Sequence, residues 1–187
     1  MNDYSNKPTW PYVFGTFGAS MFALGMLLVL AVFVSSSGSP DLGRVGFMLA
    51  GTGSVLLGVT WTQLLRVNQA GIGQIAACFL LPVAMIFLAT RSGYDDLQTA
   101  VLILCLSLCA FALAHVFIPR LTGVRWGSVI SLVGLVPTTL AVGGKLDMRG
   151  TWQLLMMLGL GGLCAVGVLL AVGMSTLKQA ADDPYRL

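Results

Sequence analysis

Few residues in this chain are equipped for chemistry. There is one histidine, His115, and there are four cysteines, Cys78, Cys105, Cys109 and Cys164. A haem held by two histidines cannot be built from a single His, and a zinc or iron site wants three or more protein ligands. No second His and no inner carboxylate is at hand, so no metal site and no cofactor are expected. His115 reads as an interfacial side chain one turn inside a helix end, bonded to a backbone carbonyl or a lipid headgroup. A weaker reading has it holding a quinone or lipid as part of an enzyme. Cys105 and Cys109 share a helical face at i, i+4, but no Cys-x-x-Cys spacing occurs, so a redox or zinc-ribbon motif is not indicated. Cysteines within apolar runs behave as small hydrophobes. No nucleophile–base pair or acid pair is present. Gly159-Leu160-Gly161-Gly162 lies inside an apolar run and does not follow a strand, so it is no nucleotide fingerprint. No catalytic residue is assigned, and the chain is not expected to be an enzyme.

Two proline positions rise slightly above this background. Pro82 and Pro137 each fall near the middle of an apolar run, and Pro137 is followed by Thr138 and Thr139. Proline frees helix carbonyls at mid-membrane, and transporters use such breaks at their binding sites. Pro82, Pro137, Thr138 and Thr139 are therefore a candidate path for a neutral solute. The plainer reading is a packing kink, with each hydroxyl bonded to its own helix.

The elements that must position these residues follow from composition. The chain has 187 residues, 57% of them hydrophobic and 9% charged, with a mean hydropathy of +0.89. Soluble domains carry about 25% charge. So few charges cannot cover a water-exposed surface, which makes this an integral membrane protein. Six apolar stretches are long enough to cross a core of about 30 Å: residues 12–34, 45–65, 71–90, 97–118, 126–144 and 151–174. They are too long and too uniform for barrel strands, and the first is longer than a signal-peptide core. The expected fold is an all-α six-transmembrane-helix bundle, a single membrane domain over 1–187 with short tails 1–11 and 175–187.

Six spans put both termini on one side. That side carries Lys7, Arg66, Arg120, Arg125, Lys178 and Arg186; the other carries Arg44, Arg91, Lys145 and Arg149. The positive-inside rule then favours cytoplasmic termini, in an inner membrane of bacterial type. Trp10, Trp61 and Trp126 fall near the cytoplasmic interface, where amphipathic rings sit at headgroup depth. Cations come one or two per loop with no basic stripe, so no nucleic-acid partner is expected. Within these boundaries no Asp, Lys or Arg lies inside a span, and the chain has no Glu. Buried ionisable groups mark ion paths and proton relays, so this weighs against ion-coupled transport.

Each outer turn carries Gly-x-x-Asp-(Leu/Met): Gly38 to Leu42, Gly93 to Leu97 and Gly144 to Met148. Gly suits a left-handed exit from one helix, and Asp suits the N-cap of the next. Three tandem two-helix hairpin repeats are one reading; a general liking of turns for Gly and Asp is the other. The layout is similar to that of a six-helix bacterial acid-resistance membrane protein family built from three short hairpin repeats. The Gly-rich segments 45–58 and 123–134 loosely resemble its helices, without a diagnostic motif.

The strongest pattern concerns packing. Gly46, Ala50, Ser54, Gly58 and Thr62 recur every four residues in the second span. Gly167, Ala171 and Ser175 do so in the sixth, and Gly15, Ala19 and Ala23 in the first. Small residues let membrane helices approach closely. Most such seams are expected within the chain; one left outside would dock another membrane subunit or a second copy. Bulky faces, with Leu27, Leu28 and Leu30 in the first span and Leu154 to Met157 in the sixth, read as lipid- or partner-facing. The function that best fits is a non-catalytic structural or assembly subunit of a larger membrane complex, with the lipid bilayer and other subunits as partners. A small channel or transporter for a neutral solute is the alternative.

Overall fold

A computed structural model of the protein describes residues 9–35, 40–65, 71–90, 94–118, 121–144 and 151–182. All the regular structure among them is helical: α1 (Trp10–Val34), α2 (Pro40–Leu65), α3 (Ile72–Thr90), α4 (Tyr94–Val116), α5 (Thr122–Val142) and α6 (Trp152–Asp182). Four of these, α1, α2, α5 and α6, are long and apolar enough to cross a membrane. The described apolar parts of the other two cover Ile72–Ile86 and Val101–Val116. The expected six-helix membrane bundle is what the chain forms.

α1, α2, α4 and α5 begin before their expected spans and α6 ends well after its own, and charges ride on these ends. α2 begins at Pro40, whose fixed φ suits a first helical position. Asp41 is therefore the second residue of α2, not its cap. It adds negative charge at the positive end of the dipole and pairs with Arg44 at 3.2 Å, both side chains being exposed. Asp96 is the third residue of α4; Asp147 lies outside the described residues. Arg125 sits in the first turn of α5, where its Nε donates to the carbonyl of Ile118 at 2.8 Å. α6 has 31 residues, about 46 Å at 1.5 Å per residue, so much of the expected tail 175–187 is helix. The exit from α5 is as expected: Gly144 has φ +69°, a left-handed conformation that glycine adopts without strain. Gly38 and Gly93 lie outside the described residues.

Each helix packs on its chain neighbours, and α6 returns to pack on α1, closing a ring. The seams follow the small residues. Along α1 and α2, Gly25 faces Gly46 and the Ala50 backbone, and Gly18 faces Gly53. Both helices thus repeat a glycine every seven residues in matched antiparallel register. A Cβ on Gly53 would stand 2.5 Å from the Gly18 carbonyl oxygen and the Phe22 nitrogen, closer than any side chain tolerates. The α5–α6 seam works alike, with Gly134 against the Gly159 backbone and Ser131 against Gly162. Gly167 of α6 receives Ala23 of α1. In lipid such approach is what gains dispersion contacts.

The expected α2 stripe is divided between two neighbours. Gly46 and Ala50 serve α1, Gly58 lies against Phe79 and Cys78 of α3, and Ser54 is buried. Thr62 at its end is exposed, its hydroxyl folded back on the Gly58 carbonyl. A four-residue spacing drifts around a 3.6-residue helix, which is why one stripe faces two partners. The hairpins are not packed alike, since the α3–α4 seam has no described glycine contact. The packing therefore gives no support to a threefold repeat. On the bulky faces, Leu27 and Leu154 are exposed while Leu30 and Met156 pack inward against the core.

Candidate functional site

Alternation of helix direction brings the C-terminal ends of α2 and α4 and the N-terminal end of α3 to the bundle end where α1 begins and α6 ends. There Trp61 lies one turn from the last residue of α2, and His115 is next to last in α4. Both were expected at headgroup depth, near a helix end. Both face inward there, with Trp61 2% exposed and His115 fully buried. What burial adds is helix rotation: each side chain points into the ring of helices rather than outward. Trp10, Trp126 and Trp152 remain exposed, as interfacial anchors would be.

Rings fill the centre of this end. Phe22 of α1 and Phe111 of α4 stack across the bundle, centroids 4.6 Å apart at 25°. Phe111 in turn stacks on His115 at 4.1 Å and 28°. Trp61 stands beside this three-ring column, its centroid 6.0 Å from that of His115 and tilted by 59°. Gln74 braces the wall. Its Oε1 accepts from the Gly71 amide at 2.8 Å, closing the N-terminus of α3 as a capping box does. Its Nε2 donates to the Ala114 carbonyl at 2.9 Å, one of the carbonyls left open at the end of α4.

The column holds an imbalance. His115 Nδ1 lies 2.7 Å from the Phe111 carbonyl oxygen, an acceptor only, so Nδ1 carries a proton. The expected backbone bond is therefore made. In the uncharged imidazole Nε2 then offers a lone pair. That Nε2 and the Trp61 Nε1–H are both buried without a hydrogen-bond partner. The third such atom is Ser128 Oγ on α5. A buried polar group left unpaired costs about 1–3 kcal/mol, and native cores hold few of them.

The other expected site residues are satisfied in place. Thr138 and Thr139, both buried, donate to the carbonyls of Gly134 and Leu135 at 2.8 and 2.7 Å. Thr139 Oγ1 also lies 3.5 Å from Cys109 Sγ; its one proton is engaged, so the thiol donates. Pro82 is half-buried in α3 and faces Gly51 of α2, while Pro137 is half-buried in α5. α3 and α5 are not ring neighbours, so the two prolines sit in separate seams. All four cysteines are free thiols. Among the described residues no three His, Cys or Asp side chains converge as a metal site would require. Of the charged side chains whose burial is described none is buried: Asp41, Arg44 and Arg125 are exposed and Lys178 is half-buried.

Sequence reasoning placed His115 at the right end of its helix and missed Trp61 as its neighbour. The only signal was that both lie near helix ends on one side of the membrane. No protein-family model matches the chain, and no curated protein or solved structure is significantly similar to it.

Proposed function

We propose that this polytopic membrane protein is a non-catalytic structural or assembly subunit of a larger membrane complex. It would sit in an inner membrane of bacterial type with both termini cytoplasmic. The observation that carries this reading is an interior in which no described charged side chain is buried. Stacked rings occupy the centre at one end, and the mid-span hydroxyls of α5 bond their own helix. Such an interior offers an ion or a polar solute nothing to exchange for its water. The outward surface is bulky and apolar, with Phe17, Met48, Ile72, Phe117 and Trp126 all at least 60% exposed, which suits lipid and neighbouring membrane helices.

The transporter reading keeps one supporting feature, the prolines inside α3 and α5. Purification in mild detergent separates the two. A fixed, stoichiometric partner supports the subunit role, and a lone monodisperse chain overturns it. Neutral-solute flux in liposomes that Pro137→Ala abolishes, with the fold intact, would establish the transporter instead.

A further inference from the structure

We propose that Trp61 and His115 form a receptor for one hydroxyl group, supplied by a small apolar alcohol or phenol from the bilayer or by a resident water. The argument is one of matching. Trp61 Nε1–H can only donate. With Nδ1 bonded to the Phe111 carbonyl, His115 Nε2 of the uncharged ring can only accept. One orphan donor and one orphan acceptor therefore share a core whose ring centroids are 6.0 Å apart. A carbonyl or an ether would satisfy the indole and leave the imidazole lone pair bare. A hydroxyl satisfies both, accepting from Nε1 and donating to Nε2.

The surroundings fix the rest of the ligand. Phe22, Phe111 and Trp61 are the aromatic neighbours in this core, so a body attached to that hydroxyl must be apolar. No charged side chain among the described residues is buried beside it, which disfavours an ion. Trp61 is one helical turn from the end of α2, about 5 Å, so the hydroxyl can be delivered from headgroup depth. Gln74 holds this end of α3 and α4 together without spending either orphan atom.

The test uses the full-length protein, 15N-labelled, in phosphatidylcholine nanodiscs. The Trp61 indole resonance is identified by its loss in Trp61→Phe, and the His115 Nε2 resonance by its loss in His115→Phe. The probes are 4-tert-butylphenol and 4-tert-butylanisole, which differ in the hydroxyl proton. Saturable movement of both resonances with the phenol, and at least tenfold weaker binding of the anisole, establishes a bilayer source. A cross-peak from the Trp61 indole proton to a long-lived water, with no response to the phenol, establishes a resident water. Equal binding of the two probes overturns the proposal, as does the absence of both probe response and bound water. In His115→Phe the phenol affinity at Trp61 should fall about tenfold, the scale of one net hydrogen bond; an unchanged affinity also overturns it. The anisole comparison needs no variant, so a poorly folding substitution leaves the test intact.

Discussion

Gln74 binds α3 to α4 through one hydrogen bond, from its Nε2 to the carbonyl of Ala114 at 2.9 Å. The same side chain closes the start of α3 through its other amide atom. It is 6% exposed, so neither bond competes with bulk water. Replacing it leaves the Gly71 amide and the Ala114 carbonyl without their partner at once. Gln74→Ala should lower stability by about 2 kcal/mol, within the range for unmaking buried bonds. Gln74→Glu should do no better, because a carboxylate cannot donate to Ala114. Reversible unfolding in mixed micelles checks both; a loss under about 0.5 kcal/mol for Gln74→Ala would remove the brace from the account.

Glycines in this bundle should divide sharply by position. A Cβ on Gly25 would meet the backbone of Ala50 and Gly46, which cannot step aside. Gly25→Ala should therefore separate α1 from α2 and cost about 1–3 kcal/mol, as overpacking does. A Cβ on Gly161 meets nothing within 4 Å. Gly161→Ala should be neutral or stabilising by up to about 1 kcal/mol through helix propensity alone. The same unfolding measurement compares them, and equal effects would contradict the seam.

The adjacent threonines of α5 should also differ. Thr138 bonds only its own helix, and Thr→Val there should change stability by less than about 1 kcal/mol. Thr139 is in addition the acceptor for the Cys109 thiol. Thr139→Val should cost more and should speed maleimide labelling of Cys109 relative to the parent chain. Solute flux should be unaffected by either substitution; a flux lost in Thr138→Val would favour the transporter.

Exposure in this protein means two different things, and labelling can tell them apart. Val168 and Gln179 are both exposed on α6. Val168 lies mid-helix, and Gln179 lies in the stretch of helix beyond the length a bilayer core needs. Gln179→Cys should react with a membrane-impermeant thiol reagent, and Val168→Cys should not. Equal reaction in membranes would put Val168 in water and contradict the bilayer placement.

Composition and run length were enough to read the helices, because a bilayer allows few other ways to satisfy backbone groups. Small residues at four-residue spacing were legible along α2, where Gly46 and Gly58 lie against neighbouring helices. The seven-residue register of Gly18 and Gly25 against Gly46 and Gly53 was not legible, since it exists only between two helices. The inward facing of Trp61 and His115 was not legible for a related reason. Nearly every position of these helices is apolar, so the sequence carries almost no signal of which way a helix is turned. Asp41 shows a smaller version of the same problem: Pro40 starts the helix two residues early, and an expected cap becomes a first-turn acid.

The closure of α6 onto α1 bears on how the chain is made. Ribosomal synthesis delivers α1 and α2 first, and their glycine register lets that pair assemble as soon as both are inserted. The face of α1 that takes Gly167 against Ala23 must then wait through three more helices for its occupant. α5 waits too, because Gly134 and Ser131 meet only α6 residues. α6 therefore completes two seams at once, and a chain halted before it would present two open grooves to the insertion and degradation machinery.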